Sequence, residues 1–312
     1  MSHLHVGSRA LIQVIGFGMI IVLAWFGAQF SPSILALLLP VTFGVLHIGS
    51  DIRYLFLKNM KLYSRSLLLT VTGLVFLWLI LRALPFFGQP LDLRFELFCG
   101  LGIAIAPAII QGNMGKTATP IVIGGAILGT IAWRNPAGFL FSVAYAHNVI
   151  AIGIAFWLLK QKGHYLPILI FSVLFVAGMG LSLLDILPFA GDLSAAVGNE
   201  FGSVALFSSR YRERMLVTFL FAQIVHLTVW VFLVPMYLES ESSLKLRMIR
   251  WKTDWTPIGA AVLTFIAISV LVFGFFDLAE AKYTYISFSG FHAWIELCGF
   301  SLIWTSNRQT VL

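Results

Sequence analysis

Apolar residues in this chain come in long blocks, with no alternation of period two and no polar stripe of period 3.6. Runs of about 20 residues, the length that crosses a hydrocarbon core, fall at roughly 10–30, 33–57, 66–87, 97–111, 118–133, 137–159, 165–189, 214–237, 256–278 and 284–305. A helix that is apolar on every side is buried in a large core or in lipid. The pattern therefore predicts an all-α fold: a polytopic transmembrane helical bundle of eight to ten spans, forming a single integral membrane domain over residues 1–312. The fourth and fifth runs are the shortest. The fourth breaks at Pro107 and the fifth carries Gly124, Gly125 and Gly129, which suits either a close-packed helix pair or a re-entrant hairpin.

The connections add orientation. With the N-terminus in the cytoplasm, thirteen of the 20 basic residues face inward: Arg9, Arg53, Lys58, Lys61, Arg65, Lys116, Lys160, Lys162, Lys245, Arg247, Arg250, Lys252 and Arg308. Arg82, Arg94, Arg134, Arg210, Arg212, Arg214 and Lys282 face outward. That bias puts both termini in the cytoplasm. The first apolar run lacks a small-residue cleavage site and is expected to be an uncleaved span. The longest connection, 190–213, is too polar to span and is expected to be an extra-membrane loop or an interfacial helix on the outer face. The basic loop 244–255, with Trp251 and Trp255, suits contact with headgroups.

Composition agrees with the block pattern. Hydrophobic residues make up 59% of the chain and charged ones 11%, against about 25% charged in soluble domains; mean hydropathy is +0.94. The net charge of +7 matches basic loops facing anionic lipid and gives no reason to expect nucleic acid. Cys99 and Cys298 both lie in apolar runs and suit buried thiols better than a disulfide or a zinc site. Gly115-Lys116-Thr117 is not a phosphate loop, because position 110 is Ile110 and no strand precedes it. An integral position in a bacterial inner (cytoplasmic) membrane is the expected location, with membrane lipids as neighbours.

Candidate chemistry lies with histidine. His3, His5 and His164 sit in the tail and a loop, whereas His47, His147, His226 and His292 fall in the second, sixth, eighth and tenth runs. Those four runs point the same way. The histidines lie between nine and fifteen residues from the outer start of their runs, a spread of about 9 Å along a helix axis. All four can thus share one layer near mid-bilayer. Polar companions share it too: Asp51 one turn after His47, Asn148 beside His147, Gln223 three residues before His226, and Glu296 one turn after His292.

A single buried histidine is most simply a helix–helix hydrogen-bonding residue. Four at one depth point to a metal, since neutral imidazoles suit iron, copper or zinc and a carboxylate one turn away orients a ring or adds a ligand. Four imidazoles leave one or two positions of an octahedral ion free, which oxygen activation requires. Haem held by axial histidines is an alternative, as a synthesis or electron-transfer protein. Proton-coupled transport through Asp51, Glu296 and Asp185 is another. Haem A synthase places a glutamate three residues before a histidine, a pair absent here.

The order of these elements resembles the Brp/Blh family of membrane beta-carotene-cleaving oxygenases. The resemblance lies in His47-x-x-x-Asp51, in the Phe-rich stretch from Thr218 to His226, and in His292-x-x-x-Glu296, with His147 in the place of the family's second histidine. Residues four positions either side of His226 are Ala222 and Trp230, so each run brings one histidine. The resemblance implies a non-haem iron (Fe2+) oxygenase with His47, His147, His226 and His292 as metal ligands. It implies dioxygen and a lipophilic substrate as partners, a carotenoid cleaved to retinal-like products. Asp51 and Glu296 would orient imidazoles or accept protons, and Asn148 and Gln223 would hydrogen-bond bound oxygen or a ligand ring. Phe43, Phe219, Phe221, Trp230, Phe288, Phe291 and Trp294 are the aromatic candidates for a substrate lining.

Overall fold

The computed structural model describes residues 2–30, 32–56, 63–89, 92–112, 118–161, 165–184, 209–234, 257–277, 281, 284–285 and 289–305. Among them the fold is all-helical, with no strand. The long helices are α1 (Ser2–Phe30), α2 (Pro32–Asp51), α3 (Arg65–Ala83), α4 (Leu93–Ile110), α5 (Ala118–Arg134), α6 (Pro136–Gln161), α7 (Tyr165–Leu183), α8 (Ser209–Thr228), α9 (Pro257–Phe276) and α10 (Phe291–Thr305). Among the described residues, four stretches are long and apolar enough to cross a membrane: Arg65–Phe87, Leu93–Ile110, Gly138–Lys160 and Arg214–Leu233. Gly18–Phe30, Ala118–Arg134, Ile168–Leu183 and Thr264–Phe276 are shorter apolar helices.

Local chemistry sets the helix ends. Ser64 caps α3 by accepting from the Leu67 amide at 3.2 Å, and Asp92 caps α4 by accepting from Arg94 at 2.9 Å. Asn135 Oδ1 accepts from the Gly138 amide at 3.0 Å, and Pro136 supplies the preset φ of a first helical residue, so α5 stops and α6 starts within one residue. Beyond α3, a 3₁₀ turn (Leu84–Phe87) ends at Gly88, whose φ of 74° needs a residue without a Cβ.

Two expectations, for Pro107 and Arg53, are corrected, and the open alternative for the fourth and fifth runs is decided for a close-packed pair. Pro107 does not break the fourth helix: it sits in the last turn of α4, and its carbonyl accepts from both Gln111 and Gly112 at 3.0 Å. α4 and α5 are separate packed helices, as Gly125 shows, since a Cβ there would crowd Ile105 of α4. Arg53 is not a loop cation. It is 1% exposed, lies in a π-helical turn (Ile52–Phe56) that continues α2, and donates from Nη1 to Tyr54 Oη at 3.0 Å. Of the connection 190–213, residues 209–213 belong to α8; the remainder, like the loop 244–255, lies outside the described residues.

Packing forms two apolar cores. One joins α1, α6, α7 and α8 around Ile152, Leu158, Phe171, Phe221 and Trp230. The other joins α3, α4, α6 and α10 around Leu67, Trp78, Leu97, Ile103 and Trp294. At Gly100 of α4 a Cβ would overlap the Trp294 indole of α10, so glycine is what lets these helices meet. Large apolar side chains also cover the outside, with Phe275 88%, Phe87 78% and Phe265 72% exposed. Gln29, Asp51, Glu96 and Arg214 are buried within. An apolar exterior with charged groups buried inside departs from the usual arrangement of a soluble protein.

Candidate metal centre

The polar layer sits where the two cores meet. His47 and Asp51 come from α2, His147 and Asn148 from α6, Gln223 and His226 from α8, and His292 and Glu296 from α10. Two of these helices change pitch beside the site. A π turn follows Asp51 directly, and another (Val229–Leu233) begins three residues after His226. Such turns rotate the side chains beyond them and recur at functional sites.

The four imidazoles form a closed ring. Centroids of His47 and His226 are 4.4 Å apart, His226 and His147 5.3 Å, His147 and His292 5.3 Å, and His292 and His47 5.2 Å. Neighbouring rings stand at 65° to 86°, edge to face. Two carboxylates reach the ring. Asp51 Oδ2 lies 3.2 Å from His47 Nε2, and Glu296 Oε1 lies 3.1 Å from His226 Nε2 and 3.7 Å from His47 Nε2. Asp51 and Glu296 are both fully buried.

Backbone and side-chain acceptors set two of the tautomers. His226 Nδ1–H donates to Asn148 Oδ1 at 2.8 Å, and Asn148 is itself held by donating to the Ala144 carbonyl at 3.0 Å. His292 Nδ1–H donates to the Ser289 carbonyl at 2.6 Å. Each bond leaves the Nε2 lone pair free for a ligand, the usual outer support of a metal-bound histidine. Both nitrogens of His47, Nδ1 of His147, Nε2 of His226 and all four oxygens of Asp51 and Glu296 are buried without a hydrogen-bond partner. So many unmet polar groups in one spot are costly, and a cation among them would answer most at once.

The ring has the right size for that. An ion about 2.1 Å from an imidazole nitrogen sits about 3.2 Å from the ring centre, so two rings on one ion have centroids about 4.6 Å apart at a right angle and about 5.3 Å at a tetrahedral angle. The observed 4.4–5.3 Å spans that interval. Ligand atoms that all lie within 4.8 Å of one another come from His47, His226 and Glu296, a two-histidine, one-carboxylate set, and His147 and His292 stand outside that group in this structure. Two carboxylates beside neutral imidazoles also match the charge of a divalent ion.

A cavity of about 190 Å³ opens on this ring, lined by His47, His147, Asn148, Gln223, His226 and His292. Of the aromatic candidates, Phe219 and Trp294 line it. Phe43 packs on Phe232, Phe221 on Phe175 and Phe291 on Trp78, Trp230 is fully buried in the first core, and Phe288 lies outside the described residues. Phe141 and Tyr285 are lining residues that the sequence did not single out. Gly44 admits Tyr285, since a Cβ there would overlap its phenol ring. The Ser289 carbonyl and the Arg82–Glu96 pair at the cavity wall were missed as well; of these only the two charges left a trace in the sequence.

Fold and site together define an all-α protein with a buried histidine–carboxylate cluster. No family model, no curated protein and no solved structure is significantly similar to the chain.

Proposed function

We propose that this chain is a polytopic protein of a bacterial cytoplasmic membrane, both termini inside, that uses a non-haem ferrous ion to oxidise a lipophilic substrate with dioxygen. The ligands are His47, His147, His226 and His292. The observation that carries the reading is the closed imidazole ring, whose spacing suits one ion and whose free nitrogens face two buried carboxylates. Resemblance to the Brp/Blh family suggests the reaction: a carbon–carbon double bond of a polyene breaks, dioxygen supplies one oxygen to each new aldehyde, and no external reductant is consumed.

A ferrous ion held by the four histidines would supply the redox chemistry that dioxygen needs. The protein does the rest. Asn148 and the Ser289 carbonyl keep protons on the outer nitrogens of His226 and His292. Asp51 and Glu296 balance the cation and hold protons, and the Gln223 amide faces the cavity as a hydrogen-bonding wall. Leu140, Phe141, Phe219 and Trp294 exclude water. The apolar exterior suits a protein that meets a lipophilic molecule in the bilayer.

The same geometry argues against haem. Neighbouring imidazoles about 5.3 Å apart, edge to face, and a space of about 190 Å³ leave no slot for a macrocycle. The test is metal analysis with an absorption spectrum on protein purified under argon. Iron without a strong Soret band is expected, with iron lost in His47→Ala and His292→Ala. A Soret band, or metal content unchanged in both variants, overturns the reading. Co-expression in carotenoid-making cells then asks about substrate: loss of colour supports a carotenoid, and unchanged colour with intact iron points to another lipid.

A further inference from the structure

The cavity that opens on the imidazoles has a second polar wall. Arg82, near the end of α3, and Glu96, in the first turn of α4, line it as well. Arg82 Nη2 contacts Glu96 Oε1 at 2.7 Å, and the guanidinium carbon lies over the Trp78 ring, 5.3 Å from its centroid. Glu96 is 1% exposed. A clamp between α3 and α4 explains that one contact, but not the rest of the pair. Glu96 Oε2 and Arg82 Nε are both buried with no hydrogen-bond partner. Both residues line the cavity on a wall of their own, and each keeps one polar atom that the ion pair does not satisfy.

We infer that Arg82 and Glu96 form a subsite for a hydroxyl group on the substrate, so that the molecule held against the imidazoles is a lipophilic alcohol and not a plain hydrocarbon. This rests on the cavity being the substrate site of the proposed iron centre. A hydroxyl donates one bond and accepts another, which matches a carboxylate oxygen and a guanidinium N–H together. A carboxylate ligand has no proton for Glu96 and is repelled by it. A hydrocarbon leaves both groups unmet. The space is small: about 190 Å³ compares with about 150 Å³ for an engineered cavity that holds benzene. The hydroxyl and the reacting carbons therefore belong to the same end of the molecule, and any longer tail lies outside the cavity. Both residues sit near helix ends, Arg82 one residue before the end of α3, which places the hydroxyl toward the membrane surface and the tail toward lipid.

The test uses the whole protein in detergent under argon, where nothing turns over, and follows quenching of tryptophan fluorescence. Probes are geraniol, its methyl ether, and 2,6-dimethylocta-2,6-diene, the same skeleton without oxygen. Wild type is expected to bind geraniol about tenfold more tightly than the methyl ether, the lower end for a hydrogen bond to a charged group. The double variant Arg82→Met/Glu96→Leu removes both charges together, avoiding a lone buried one. It is expected to lose about tenfold in affinity for geraniol and nothing for the diene, with iron content unchanged. Equal binding of alcohol and ether by wild type overturns the subsite, and that comparison needs no variant. A parallel loss for geraniol and diene in the variant overturns it too. Iron content is read separately, so an empty metal site sinks the oxygenase reading and leaves the hydroxyl preference to be judged by itself.

Discussion

Replacing Glu296 by glutamine tests whether the carboxylate belongs to a metal site, because the change should move stability in opposite senses with and without metal. Glu296 is fully buried, its Oε1 lies 3.1 Å from His226 Nε2 and 3.7 Å from His47 Nε2, and neither oxygen has a hydrogen-bond partner. Without metal it shares its pocket with Asp51 and gains little, so Glu296→Gln should be at least as stable as wild type. With metal the order reverses. A ligand present at about a thousand times its Kd stabilises the folded state by about 4 kcal/mol. Loss of an outer partner of a metal site weakens affinity by about 10–100-fold, and losing a buried carboxylate that balances the cation should cost about the upper figure. At the same metal concentration the variant then gains only about 1.4 kcal/mol. Taking about 2 °C per kcal/mol, the low end for larger chains, a metal-dependent rise in Tm of about 8 °C in wild type falls to about 3 °C. The assay is a thermal melt in detergent, with ferrous ion under argon and with a chelator. Equal metal-dependent shifts in the two proteins, or a metal-free variant clearly less stable than wild type, would refute the reasoning.

Two further substitutions probe the supports of the site. Asn148→Leu keeps the bulk but removes the acceptor of the His226 Nδ1–H bond; metal affinity should fall about 10–100-fold in an equilibrium titration, and unchanged affinity would mean that Asn148 does not hold the ring. Gly100→Ala puts a methyl group into the Trp294 indole where α4 meets α10; overpacking of this kind costs about 1–3 kcal/mol, and a variant as stable as wild type in chemical unfolding would show that the helices are not in contact there.

Helix blocks and the shared depth of the histidines were legible because each follows from distance along one helix. His47 to Asp51 and His292 to Glu296 are single turns, and nothing distant is needed to put each pair on one face. Cross-helix pairing was not legible. Arg82 and Glu96 are 14 residues apart, separated by the 3₁₀ turn at Leu84–Phe87, and only tertiary packing brings them together. Counting basic residues assigns a side of the membrane but not a depth, which is why Arg53 was placed in a loop while the π turn after Asp51 carries it into the interior. Pro107 misled for a similar reason: near a helix end its missing amide costs little, because the following amides turn back to its own carbonyl. The bond from His292 to the Ser289 carbonyl has no side-chain signature at all.

The position of the cluster has a consequence for assembly. Either apolar core could close by itself, since Ile152 with Phe171 and Phe221, or Leu67 with Trp78 and Leu97, need no polar partner. The seam between them cannot close so cheaply: it holds Asp51, Glu296 and several ring nitrogens without hydrogen bonds. In lipid, apolar contact between helices gains little over contact with acyl chains, so the seam depends on packing and on its polar groups finding partners. On the proposed reading the ion is that partner. It would join α2, α6, α8 and α10 through one residue each, and metal uptake and closure of the seam would be linked steps. The same seam leaves the cavity beside the ring, so on that reading the packing defect that the ion would fill is also the space that would admit the substrate.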